Sequence, residues 1–107
     1  MKRLKRRYLA LQLNVDCMPS EREFLDAVWS VVTRLFGEYG ASLAGLALIS
    51  YDCDLKAAVL RTNLGALDNV RAALATITSL GGRGAAVHVL AVSGTIKALQ
   101  KNPKGFS

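Results

Sequence analysis

From Tyr8 to Val15 the chain alternates: Leu9, Leu11, Leu13 and Val15 fall on one side of an extended segment, and Tyr8, Ala10, Gln12 and Asn14 on the other. A period of two with every leucine on one face predicts a β-strand that buries that face. The period then changes. Ser20 and Glu23 have the spacing of a capping box, in which hydroxyl and carboxylate each accept a hydrogen bond from the other residue's free backbone N–H, so a helix is expected to start there. Phe24, Leu25, Val28, Trp29, Val32, Leu35, Phe36 and Tyr39 follow as one broad apolar stripe predicted to face the core, and Gly40 is the expected stop.

Leu46 to Tyr51 and Lys56 to Thr62 read as two strands joined by the polar turn Asp52-Cys53-Asp54, an antiparallel hairpin. Leu67, Val70, Leu74 and Ile77 step at helical spacing and predict a second amphipathic helix from Leu64 to Leu80, ended by Gly81-Gly82-Arg83-Gly84. That glycine cluster follows a helix and precedes a strand. A phosphate loop needs the reverse order to aim helix N–H groups at phosphate, so the cluster reads as a flexible turn. Ala86 to Val92 is the fourth long strand, and Ser93-Gly94 cap a short last helix from Thr95 to about Lys101. The order β-α-β-β-α-β plus a C-terminal helix predicts an α+β fold, the ferredoxin-like sandwich, with a four-stranded antiparallel sheet and two helices on one face. The expected organisation is an N-terminal basic arm over 1–7, a single domain over 8–101 and a flexible tail over 102–107.

Charge changes the picture at one place. The chain has 107 residues, 51% of them apolar, and fourteen Lys and Arg against eight Asp and Glu, a net charge of +6. Five of those cations, Lys2, Arg3, Lys5, Arg6 and Arg7, lie in the first seven residues. Such a block repels itself unless something negative neutralises it, so it points to a polyanionic partner. One domain of this length buries roughly two thirds of its unfolded surface, enough for a real core. No apolar run approaches the roughly 18 residues of a membrane span, and the basic start lacks the apolar stretch of a secretory signal, so a cytoplasmic protein with no membrane partner is expected. Cys17 and Cys53 are too few and too far apart for a zinc cage and are expected as reduced thiols, with a disulfide possible and not favoured.

Catalytic chemistry is sparse. His88 is the single histidine and stands among apolar strand residues, where a buried, neutral, hydrogen-bonded imidazole is expected. Asp52 and Asp54 read as turn formers that bond to their own backbone. With no second histidine and no paired nucleophile and base, bond-breaking chemistry by this chain alone is not expected. RNA-recognition modules of this architecture stack bases on aromatics of the central strands, but the third strand here, Lys56 to Asn63, carries no aromatic. The second and fourth long strands are also apolar on both faces, which calls for cover on both sides of the sheet, from the last helix or a partner protein. RNA contact then falls to the arm, the strand ends and the helix termini.

Three segments carry a family resemblance: Arg6-Arg-Tyr-Leu-Ala-Leu11, Phe36-Gly-Glu-Tyr-Gly-Ala-Ser42 and Val92-Ser-Gly-Thr-Ile-Lys-Ala-Leu99. In this order they resemble the ribonuclease P protein component 2 family, over nearly the whole chain. The resemblance implies the same ferredoxin-like sandwich and an accessory, non-catalytic subunit of the ribonucleoprotein that removes the 5′ leader from precursor tRNA. It implies no cofactor in this chain, with Mg2+ held by the holoenzyme RNA. The implied partners are the catalytic RNA, ribonuclease P protein component 3 in a heterotetramer with two copies of each chain, a second copy of this chain at its centre, and precursor tRNA indirectly.

On that reading Lys2, Arg3, Lys5, Arg6 and Arg7 neutralise RNA phosphates. Lys97 and Lys101, one turn apart on the last helix, and Arg61 on a central strand are further RNA-binding candidates, with Arg83 behind them. Trp29, Ser42, Leu43 and Leu46 are candidates for protein contacts. Two rival readings are a small-molecule regulatory domain of the same fold, which leaves the basic arm idle, and a free-standing nuclease using Asp52 and Asp54 with magnesium.

Overall fold

The computed structural model describes residues 5–80 and 82–95. Its elements are β1 (Arg6–Asn14), α1 (Glu21–Ala44), β2 (Ala47–Asp52), β3 (Ala57–Asn63), a 3-10 turn (Leu64–Ala66), α2 (Leu67–Ala75), the two-residue strands β4 (Ser79–Leu80) and β5 (Arg83–Gly84), and β6 (Ala86–Ser93). The main sheet has the order β2-β3-β1-β6, with every neighbouring pair antiparallel. This is the expected ferredoxin-like sandwich. The last helix and the tail lie outside the described residues.

β1 owes its central place to its alternation. Leu9, Leu11 and Leu13 are buried on the face that packs against the helices, together with Ala58 and Leu60 of β3 and Phe24, Val28, Val32, Val70 and Leu74 of the helices. Helix α1 starts as its capping box predicts: the Glu23 amide donates to Ser20 Oγ at 3.1 Å, and the Ser20 amide donates to Glu23 Oε1 at 3.2 Å.

The stop at Gly40 is corrected. α1 runs to Ala44 and ends on Gly45, whose φ of 59° is the left-handed cap geometry that favours glycine. Within it Gly37, at φ 78°, breaks the helical path. Beyond that break small residues, Ala41 and Ala44, take the buried positions, and Tyr39 and Leu43 are exposed, as Leu35 and Phe36 already are just before it. The single stripe drawn through Tyr39 therefore belongs to the core only in its first half. Gly40 is helical and makes room for Phe36, since a Cβ there would meet the Phe36 Cβ at 3.0 Å.

The second helix is shorter than its apolar spacing predicts. It ends at Ala75, where the β-branched run Thr76-Ile77-Thr78 begins and Thr76 Oγ1 donates to the Ala73 carbonyl at 2.7 Å. Ile77 and Leu80 are buried all the same, from an irregular segment and the small β4–β5 hairpin. His88 is also corrected: it is exposed, not buried. Its register partner is Gln12, on the face turned away from the helices, and an apolar strand sequence hides that parity.

The C-terminus of α1 is tied to β3 by side chains. The buried Thr62 hydroxyl donates to the Ala44 carbonyl and Asn63 Nδ2 to the Leu43 carbonyl, both at 2.7 Å, satisfying two of the acceptors a helix end leaves open. A Cβ on Gly45 would lie 2.8 Å from Asn63 Nδ2. Gly45→Ala is therefore expected to destabilise the fold by about 2 kcal/mol, combining left-handed strain with loss of the Asn63 bond. Gly65→Ala, with nothing within 4 Å of the added methyl, is expected to stay within about 0.5 kcal/mol of the parent. Urea midpoints for the two variants decide it, and equal midpoints would contradict the cap.

Candidate nucleic-acid interface

Antiparallel pairing sorts the charges by sheet end. β1 and β2 begin, and β3 and β6 finish, at the same end of the sheet. That end holds Lys5, Arg6, Arg7 and Arg61. The opposite end holds the β1–α1 loop, the start of α1 and the β2–β3 turn, and with them Asp16, Glu21, Glu23, Asp26, Asp52 and Asp54, six of the eight carboxylates in the chain. The domain is polarised, with Arg22, Lys56 and Arg83 as cations near the acidic end. Lys56, the one non-glycine residue with positive φ among those described, is used structurally there: its Nζ donates to the Val15 carbonyl at 2.7 Å.

The basic end is built into the sheet. β1 begins at Arg6, two residues before the alternation marks it, so Arg6 and Arg7 are held opposite Asn63 and Thr62 of β3. The Arg7 guanidinium donates to the Arg6 carbonyl at 2.9 Å and lies over Gly94, just past the end of β6. Arg61 stands opposite Tyr8 on β1 and opposite Ala47 on β2. Among the described residues no carboxylate pairs with any of these cations, and the Arg61 Nε is buried without a hydrogen-bond partner. Arg83 sits in the β4–β5 hairpin, away from this cluster. Lys2, Arg3, Lys97 and Lys101 lie outside the described residues.

The candidate protein contacts are scattered. Trp29 and Leu46 are half-buried against the main core, whereas Ser42 and Leu43 are exposed on the last turn of α1. Leu43 shares that exposure with Leu35, Phe36 and Tyr39, three residues the stripe had placed in the core. Gly37 marks where a new helical register begins, and of these residues Tyr39 and Leu43 follow it.

The groups considered for catalysis are occupied or isolated. Asp52 Oδ1 accepts from the Asp54 amide at 2.9 Å and the Leu55 amide at 3.0 Å, the turn-forming role its position predicts. Among the described residues no group of three or more His, Cys, Asp or Glu side chains is placed to hold a metal ion, and no helix is long and apolar enough to cross a membrane. Cys17 and Cys53 are both free and exposed.

Fold and charge together define a ferredoxin-like module with one cationic end whose arginines have no carboxylate counter-ions among the described residues. The chain belongs to the Rpp14/Pop5 family, whose model matches residues 7–103. It is 33% identical over 97 residues to ribonuclease P protein component 2 of Pyrococcus abyssi, covering 91% of this chain and 82% of that protein. Its identity to the Methanobrevibacter smithii protein of the same name is 33% over 106 residues, covering 92% and 88%. A chain in the cryo-EM structure of yeast ribonuclease MRP superposes with a TM-score of 0.65 over 97% of this chain and 95% of that one, at 14% identity, a likeness of fold.

At the acidic end Tyr51 carries the electrostatic signature. Its hydroxyl donates to the Pro19 carbonyl at 2.5 Å, and its ring packs against Phe24 at 5.6 Å between centroids. Burial, and then the negative charges of Cys53, Glu21 and Glu23, push its pKa from 10.0 up to about 12. Ionisation is thus harder in the folded than in the unfolded chain. The contribution of this phenol to stability is complete below about pH 10 and lost as the pH rises to about 12. An ultraviolet titration of the parent minus that of Tyr51→Phe is expected to show a phenolate step near pH 12, and a step near 10 would contradict the burial.

Proposed function

We propose that this chain is a non-catalytic protein subunit of ribonuclease P, which binds the catalytic RNA and supports removal of the 5′ leader from precursor tRNA. The observation that carries the reading is a cationic sheet end without carboxylate partners among the described residues, in a chain of the Rpp14/Pop5 family. Arg6 and Arg7 are anchored by β1 pairing and Arg61 by β3, so their charges are held in place before RNA arrives. Positioned cations on a rigid edge lower the repulsion between RNA strands drawn close together. Magnesium is then held by the RNA, and this chain supplies charge and shape to the folded RNA.

The same reading assigns ribonuclease P protein component 3 as the protein partner, in an assembly with two copies of each chain and a contact between two copies of this one. Ser42 and Leu43, exposed at the end of α1, are the accessible members of the candidate contact set, and precursor tRNA is engaged through the assembled particle. The proposed site of action is the cytoplasm.

Two measurements test it. In 5′-leader cleavage by the cognate catalytic RNA at limiting magnesium, adding this chain together with component 3 is expected to stimulate strongly. Absence of stimulation from folded, associated proteins would overturn the assignment. In direct RNA titrations, replacing Lys5, Arg6 and Arg7 together by glutamine is expected to lower the log–log salt slope by roughly 2 to 3 units. Replacing Arg22 and Arg83, at the other end of the domain, is expected to leave the slope unchanged. Equal effects from both sets would refute the polarity.

A further inference from the structure

A row of the sheet at the cationic end has a composition that charge neutralisation alone does not require. Across the four strands it runs Ala47, Arg61, Tyr8, Ser93, each residue the register partner of the next. Leu9, the next residue of β1, is buried among the helices, so Tyr8 belongs to the opposite face, with Ala10. The centre of that face is closed: Ala10 is 1% and Val59 8% exposed, and Tyr8 and Ala91 pack against them. At its cationic rim the half-buried ring of Tyr8 lies between a serine hydroxyl and a guanidinium, with Arg6 two residues back along β1.

We infer that this rim is a binding site for one unpaired RNA nucleotide, its base or ribose stacked on Tyr8 and its phosphate held by Arg61 and Arg6. The inference rests on the proposed RNA-binding role and adds what kind of RNA the site takes. Three observations support it. Tyr8 is on a central strand, where the aromatics of RNA-binding sheets of this fold sit, and the lack of any aromatic on β3 limits the site to one nucleotide. The buried, unpartnered Arg61 Nε has been taken out of water without a compensating hydrogen bond, a cost that an incoming anion offsets. Small residues flank the pair, Ala47 beside Arg61 and Ser93 beside Tyr8, leaving the ring and the guanidinium as the tall members of the row.

The test compares a short oligouridine with a blunt RNA duplex carrying the same number of phosphates, each titrated with the full chain. Tyr8→Leu keeps the apolar contact with Ala10 and Val59 and is expected to weaken oligouridine binding by roughly 5- to 150-fold with the salt slope unchanged, since one stacked base is lost. Duplex affinity is expected to stay the same, and Tyr8→Phe, which keeps the ring, to bind oligouridine as the parent does. Arg61→Gln is expected to reduce the slope on oligouridine by about 0.7 units, one phosphate contact. Should Tyr8→Leu not fold, Tyr8→Trp gives a second readout, emission quenched by oligouridine and not by duplex.

If the parent binds RNA and Tyr8→Leu binds both RNAs as the parent does, or weakens both equally, the nucleotide site is overturned and the phosphate-binding role stands. If Tyr8→Leu keeps its RNA affinity but loses component 3, the rim is a protein contact and the inference also fails. If the parent binds neither RNA, the proposed function falls together with the site.

Discussion

The register of β1 is the constraint on which the rest of this domain depends. It is hydrogen-bonded on both sides, to β3 and to β6, and its leucines at 9, 11 and 13 are at most 1% exposed. Burying each such side chain contributes roughly 1.5–3 kcal/mol, so a slip by one residue, which would turn all three to the other face, is excluded energetically. The same register sets what the other face shows. With Leu9 inward, Tyr8 must be outward, opposite Arg61 on one side and Ser93 on the other. Hydrophobic burial on the helix side thus positions the polar groups of the cationic rim on the other face of the sheet.

Antiparallel pairing then separates charge along the long direction of the strands. Cations enter at the start of β1 and the finish of β3, carboxylates at the start of α1 and the β2–β3 turn, and the sheet holds the two groups apart. At the acidic end the charges are engaged in local structure: the Asp52 carboxylate closes a turn, Glu23 completes the capping box, and acidic residues in the first turn of α1 suit the positive end of its dipole. At the cationic end the arginines meet no carboxylate among the described residues. One set of charges serves folding and the other is left for a partner, the division expected of a subunit whose binding surface is polyanionic.

α1 shows a second division. Up to Val32 its large apolar residues fill the space over the sheet; Leu35 and Phe36 are already outside, and beyond the break at Gly37 the buried positions are alanines. The helix can approach β3 closely at its end because Ala41 and Ala44 are small, and that approach lets Thr62 and Asn63 take up its last carbonyls.

The chain by itself determined the order of the four long strands and the two helices between them, the ferredoxin-like topology, the capping box at Ser20, the turn role of Asp52 and the cationic start, because each depends on residues close in sequence or on a period of two or of 3.6. The family resemblance, too, was readable in three short segments. Only the tertiary structure decided the rest. The second half of the α1 stripe lies outside the core: Leu35 and Phe36 are exposed just before Gly37, and the break there starts a new register for Tyr39. The helix after β3 stopped at Ala75 although Ile77 and Leu80 are buried, since burial needs a position and not a helix. His88 was exposed because β6 presents alternate residues to opposite faces, and an apolar strand sequence does not say which face the helices cover. Arg61 and Tyr8, 53 positions apart by their numbers, became neighbours through strand pairing alone, and no local pattern in either segment records that contact.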